Sequence, residues 1–149
     1  IAQQPAAAPR MKSAMFAIDA NANSWAGGGQ AVAVTTNISL EAGESFIITV
    51  DPNDTWMLCP DAANNCETYA DGTQVNTGSS FGPYDDAGYS FTNGTIVGRI
   101  GQDGAFFEVG RTGYQGTAEK SGVLFLFNWD RNTNNSGTIK VNVAQFTDR

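Results

Sequence analysis

The chain has 149 residues, 17 Gly, no His and a formal net charge of −7, a length that suits one domain with a proper core. The acidic balance, without clustered Lys and Arg, argues against nucleic acid and anionic membranes as partners, and no apolar run approaches the ~18 residues of a membrane-inserted helix. Without His, Ser-His and Cys-His nucleophile systems are excluded.

Residues 1–10 (I-A-Q-Q-P-A-A-A-P-R) are Ala-, Pro- and Gln-rich and read as a tail or linker ahead of a single domain, residues 11–149. The chain opens on Ile1 with no signal-peptide pattern, which fits a processed secreted protein or an excised module. Met15, Phe16 and Ile18 mark a first strand over residues 11–19. Trp25, in a small and Gly-rich stretch, admits two readings, a core plug or a platform for stacking sugar. Residues 30–37 and 45–50 alternate apolar and polar side chains, the period of half-buried strands. In the second, Phe46 and Ile48 share one face and Ile47 and Thr49 the other. Residues 40–44 and 51–54 are turns between them.

A short apolar segment, Thr55-Trp56-Met57-Leu58, ends at Cys59. Cys59 and Cys66 are wrongly spaced for a C-x-x-C motif and have no His to help with zinc. A local disulfide is the better reading. Closing so short a loop contributes roughly 2.5 kcal/mol and implies an oxidising compartment; two free thiols are the alternative. Residues 60–89 form a long polar stretch, too long to be idle in a compact domain. Two further strands, residues 91–100 and 105–109, flank a turn in which Asp103-Gly104 suits a tight hairpin. Residues 111–121 read as a connecting loop. Phe146 is expected to pack back on the domain, with residues 147–149 a frayed end.

The decisive stretch is G-V-L-F-L-F-N-W-D-R-N-T-N-N-S-G-T-I-K-V-N-V, residues 122–143. Residues 123–127 are an apolar run of strand length, and residues 138–143 alternate, with Ile139, Val141 and Val143 on one face. The loop between them is rich in oxygen. Calcium takes about six to eight oxygen ligands from carboxylates, amides and main-chain carbonyls. Asp130 offers charge and Asn132, Asn134 and Asn135 offer neutral oxygens, with Asp130, Asn132 and Asn134 in a D-x-N-x-N run. An EF-hand is excluded, because Asn135 and Val141 stand where its Gly and Glu are required. An Asn-rich hairpin loop without metal is the plain alternative.

The order of pieces in residues 31–146 resembles the PA-I type of galactophilic, calcium-dependent bacterial lectins. Carrying the likeness are Gly94-Thr95-Ile96-Val97-Gly98-Arg99-Ile100-Gly101, Phe107-Glu108-Val109-Gly110, Gly122-Val123-Leu124-Phe125-Leu126-Phe127-Asn128, Asp130, and Asn134-Asn135-Ser136-Gly137-Thr138-Ile139-Lys140-Val141-Asn142-Val143. The resemblance implies an all-β fold, an antiparallel jelly-roll-like β-sandwich of about eight strands. It further implies a secreted or extracellular, non-enzymatic protein that binds galactose-type carbohydrate through Ca2+, and a tendency to form homo-oligomers. Its calcium would be held by Asp130, Asn132, Asn134, Asn135, the carbonyl of Thr133 and the main-chain oxygen of Cys59. Sugar would be met by Asp130, Asn134 and Asn135. Between Asp130 and Asn134 stand only Arg131, Asn132 and Thr133, a shorter loop than the family's.

Two other functions compete. A structural or adhesive domain would keep the fold without the sugar site. An enzyme would need paired carboxylates, for which Asp103 with Glu108 and Asp85 with Asp86 are the candidates. Asp85 and Asp86 also suit a second cation or plain solvation.

Overall fold

Alternation in residues 45–50 and 138–143, and the unbroken apolar run between Gly122 and Asn128, call for two packed sheets, one of them covered on both faces. The computed structural model of the chain, which describes residues 10–27 and 32–147, has that arrangement. Twelve strands are found among these residues. They are β1 (Arg10–Asp19), β2 (Val34–Leu40), β3 (Ser45–Val50), β4 (Thr55–Met57), β5 (Glu67–Tyr69), β6 (Pro83–Asp86), β7 (Tyr89–Thr92), β8 (Thr95–Ile100), β9 (Phe107–Glu108), β10 (Tyr114–Thr117), β11 (Gly122–Trp129) and β12 (Thr138–Thr147). Eight of them build the sandwich as two four-stranded sheets, β1-β12-β3-β10 and β2-β11-β8-β9. All named pairings are antiparallel. The fold is therefore an all-β antiparallel sandwich, with β4-β5 and β6-β7 as added two-stranded ribbons.

The central core lies between the sheets. Ile18, Phe46, Ile48, Ile139, Val141 and Val143 face Leu40, Ile96, Leu124 and Leu126, all essentially inaccessible. On β3 the alternation holds: Phe46 and Ile48 are buried, Ile47 is half-buried and Thr49 exposed. On β8 and β11 it gives way to burial on both faces. Leu124 and Leu126 point to the central core, while Phe127 and Trp129 enter a second, aromatic cluster with Trp25, Val97 and Phe106. Tyr84, Tyr89 and Phe91 of the β6-β7 ribbon pack on that cluster. Burying a large side chain of this kind contributes about 1.5–3 kcal/mol. The ribbon thus covers the outer face of the second sheet and explains why residues 123–127 read as continuously apolar.

Several local expectations are corrected. Arg10 belongs to β1, paired with Thr147, and not to a tail; residues 1–9 lie outside the described residues. β2 begins at Val34 and runs through Leu40, which is buried at a strand end and not part of a turn. A register shift on β11 and the positive φ of Asn37 (58°) mark a bulge in this pair, which disguised the strand's extent. Residues 91–100 are not one strand. Gly94, at φ 90°, separates β7 from β8, and a Cβ there would meet Leu58 Cδ1 at 2.7 Å. After β8, the residue with positive φ is Gly101, not Gly104; Gly104 instead gives room to the Ile100 carbonyl, 2.0 Å from where its Cβ would stand. The expected loop over residues 111–121 contains β10, whose Tyr114 stacks on Phe107 with ring centroids 4.2 Å apart. Thr147 is paired and buried, so the frayed end excludes it; residues 148 and 149 lie outside the described residues. Phe146 is half-buried and sits across the strand from Val143, on the sheet's other face.

Candidate functional site

Asp130 follows the last residue of β11, where the chain leaves the sheet. The loop after it has no regular pairing to hold it, so its shape depends on neighbours. Three segments supply them. The Ser24 hydroxyl lies 3.1 Å from the Asp130 carbonyl and 2.8 Å from that of Asn132, and the Ala26 N–H donates to the Asp130 carbonyl. Asn21 Oδ1 accepts the Asn135 N–H at 3.2 Å. Met57 of β4 exchanges both main-chain bonds with Ser136, at 2.8 and 2.9 Å. The loop is thereby clamped between the segment after β1 and the β4-β5 ribbon.

The clamp leaves the Asp130 carboxyl buried, at 2 % exposure. Its Oδ1 lies 3.4 Å from the Asn132 N–H, and its Oδ2 has no hydrogen-bond partner in the protein. Loss of hydration raises its pKa above the ordinary carboxylate value; the neighbouring Asn135 amide, the N–H groups of Asn132 and Arg131 and the Arg131 charge oppose that rise without cancelling it. The Arg131 guanidinium turns away, donating to the Pro83 carbonyl at 3.0 Å and lying over the Tyr84 ring. Asn135 is also buried. Its Nδ2 donates to the carbonyls of Ala20 and Asn132, at 3.0 and 3.2 Å, so its amide hydrogens are used inside the protein. Its Oδ1 is left without a partner, as is Oδ1 of Asn128, whose Nδ2 also donates to Ala20. The unmatched atoms of Asp130, Asn128 and Asn135 are oxygens, the kind of ligand a hard cation takes.

Asp130 borders a cavity of about 560 Å³. The structure brings Cys59, Asn132 and Asn134 of the expected site to the same cavity, with Leu58, Asn64, Cys66, Phe81, Asn93 and Arg131. Cys59 and Cys66 are joined in a disulfide, with Cα atoms 5.4 Å apart, and form part of the wall. Thr133 is exposed and not among the lining residues. Among the described residues no cluster of three or more His, Cys, Asp or Glu is arranged to hold a metal. A cation in this cavity would rest on one carboxylate, with amide and main-chain oxygens completing its shell.

Sequence reasoning missed Ser24, Phe81 and Asn93. Ser24 is 106 residues from Asp130 and leaves no local signal. Asn93 did leave one, since Asn93-Gly94 is a turn signal inside the expected strand over residues 91–100. Phe81 stands alone in a polar stretch between Ser80 and Gly82.

The other candidates fall elsewhere. Trp25 is 8 % exposed, stacks on Trp129 at 5.7 Å and donates from Nε1 to Asp86 Oδ2 at 2.6 Å, so it is a core plug and not a sugar platform. Asp86 thus has a structural partner, and its neighbour Asp85 is exposed on the β6-β7 ribbon. Asp103 pairs with Lys120 at 2.9 Å in an exposed turn, and Glu108 is exposed on β9. No helix among the described residues is long and apolar enough to cross a membrane.

No family model matches the sequence, and no curated protein matches it. Among solved structures the chain is similar to one described as "EclA N-terminal domain; PllA-like lectin", at 22% identity and a TM-score of 0.58, covering 88% of this chain and 94% of that one. The chain has a lectin-like β-sandwich fold.

Proposed function

We propose that the chain is a calcium-dependent carbohydrate-binding domain that takes a galactose-type sugar at the Asp130 cavity. One observation carries this reading: a buried carboxylate with an unpartnered oxygen belongs to a residue that borders a cavity lined also by Asn64, Asn93, Asn132 and Asn134. A buried charge without a cation costs several kcal/mol unless something neutralises it. Asp130 would supply the negative charge to calcium. Asn132, Asn134 and Cys59 border the cavity and would supply neutral oxygens, Cys59 from its carbonyl; Asn135 Oδ1 and the Thr133 carbonyl, which the resemblance implies, lie on residues outside its lining. When bound, the ion would give two adjacent sugar hydroxyls a partner stronger than water. The exposed amides of Asn132 and Asn134 hydrogen-bond to sugar, and the inward-turned Asn135 amide holds the loop. Galactose follows the sequence resemblance, and the lectin-like fold of the neighbouring structure supports carbohydrate as the ligand class. The disulfide fits a secreted or extracellular setting. Homo-oligomers, also implied by the resemblance, would add avidity by linking sites.

The short loop between Asp130 and Asn134 favours a second reading, an adhesive or structural domain that binds calcium without sugar. Calorimetry with calcium on the wild-type chain and on Asp130→Ala, followed by a glycan screen with and without chelator, separates the two. Chelator-sensitive glycan binding, together with loss of calcium binding in Asp130→Ala, supports the lectin. Calcium binding without any glycan selects the structural domain, and no calcium binding rejects the site.

A further inference from the structure

Phe81 is 43% exposed and borders the Asp130 cavity. A singly exposed aromatic needs no explanation by itself. Its fixation does. The segment bearing it is tied down on both sides: the Ser79 carbonyl accepts the Gln74 N–H at 2.8 Å, and the Gly82 carbonyl accepts both the N–H and the Nδ2 of Asn93, each at 3.0 Å. Ser80 Oγ accepts the Gly82 N–H at 3.2 Å. Asn93 is itself buried, and its Oδ1 accepts the Arg131 N–H at 3.3 Å. One asparagine therefore bonds to the residue after Phe81 and to the residue after Asp130. The main-chain segments that bear the aromatic and the carboxylate are held in a common frame before any ligand arrives. This is preorganisation, which lowers the ordering cost of binding.

The rest of the lining is chiefly amide, carboxylate and disulfide, with Leu58 its other large apolar residue. An exposed ring on main chain tied down beside such groups suits a ligand with an apolar face and a polar edge. A pyranose with the galactose configuration is such a ligand. Its axial hydroxyl leaves several C–H bonds together on the opposite ring face, while neighbouring hydroxyls remain free. Polarised C–H groups sit well against the negative face of an aromatic ring.

Resting on the carbohydrate-binding reading above, we propose that Phe81 is the stacking platform of this site and receives the C–H-rich face of the sugar ring. The test is glycan calorimetry at saturating calcium with a methyl β-galactoside and a methyl β-glucoside, on wild type, Phe81→Ala and Phe81→Trp. Phe81→Ala is expected to weaken galactoside binding by roughly tenfold, with calcium affinity and Tm unchanged. Phe81→Trp keeps the galactoside affinity. Unchanged galactoside affinity in Phe81→Ala overturns the assignment while leaving the lectin reading intact. A wild-type chain that binds calcium and neither sugar removes both.

Discussion

Asp130 and Asp103 leave the second sheet at opposite ends. Asp130 follows β11 at the end where Trp129 pairs with Thr95, and Asp103 follows β8 at the end where Ile100 pairs with Leu124. Asp103 lies in solvent and pairs with Lys120, which, through the side-chain hydrogen bond first, holds its pKa below the ordinary value. Asp130 lies in the protein, the neighbouring Arg131 charge only partly offsets its burial, and that burial moves its pKa the other way. The same residue type at the same kind of strand end serves two purposes. An exposed ion pair of this sort adds little to stability. A buried carboxylate left unmatched by the protein is a cost that folding alone does not explain, and such groups gather at sites built for a ligand.

The comparison can be broken most sharply at Asp130. Asp130→Ala is expected to weaken calcium binding at least about 100-fold, since the site has no second carboxylate to take over; calorimetry at neutral pH reads this directly. An unchanged affinity would move the cation elsewhere. The next largest effect is at the disulfide, the covalent staple that only the Asp130 end possesses among the described residues. Reduction, or Cys66→Ser, should cost about 2.5 kcal/mol on the chain-entropy model, read by urea unfolding, and should weaken calcium and sugar binding through the loosened wall.

A smaller effect sharpens the contrast through pH. The raised pKa of Asp130 means the calcium-free native state holds its proton more tightly than the unfolded chain does. The associated stability is fully present below the unfolded pKa and is lost as pH rises through the folded one. In chelator at pH 7, Asp130→Asn should therefore unfold at a higher temperature than wild type, by roughly 2–4 °C. In excess calcium the order should reverse, because only wild type gains from the ion. A variant less stable than wild type in chelator would show that the carboxylate is satisfied without metal. The smallest effect belongs to Asp103. Its pKa is lowered, so its contribution is present above the unfolded pKa and lost as pH falls through the folded one. Asp103→Asn should leave calcium affinity unaltered and Tm within error at neutral pH, as expected for a solvent-exposed pair.

Elements with a strict period were legible in the residues. β3 matches its expected bounds, because alternation in residues 45–50 reports one buried face and needs no distant partner. β11 was legible as buried, though not why: its second apolar face meets the aromatic ribbon β6-β7, of which β6 lay hidden in the polar stretch of residues 60–89 and β7 ran across its end into the expected strand over residues 91–100. Ribbon strands of three or four residues and the edge strand β10 carry too few alternations to stand out. Trp25 shows the same limit at one residue: its type allowed core or platform, and contact with Phe106, Phe127 and Trp129 settled it as core.

For the site, residue type and order were enough to single out Asp130, Asn132 and Asn134, because oxygen-rich loops between strands are visible locally, and Cys59 entered through the family resemblance. Burial of Asp130, the inward turn of Asn135 and the frame formed by Ser24, Asn93 and Phe81 were decided by tertiary structure alone. Those features depend on chain segments that meet only after the sheets have packed, and desolvation, which raises the pKa of Asp130, is a property of the space around a residue and not of its neighbours in sequence.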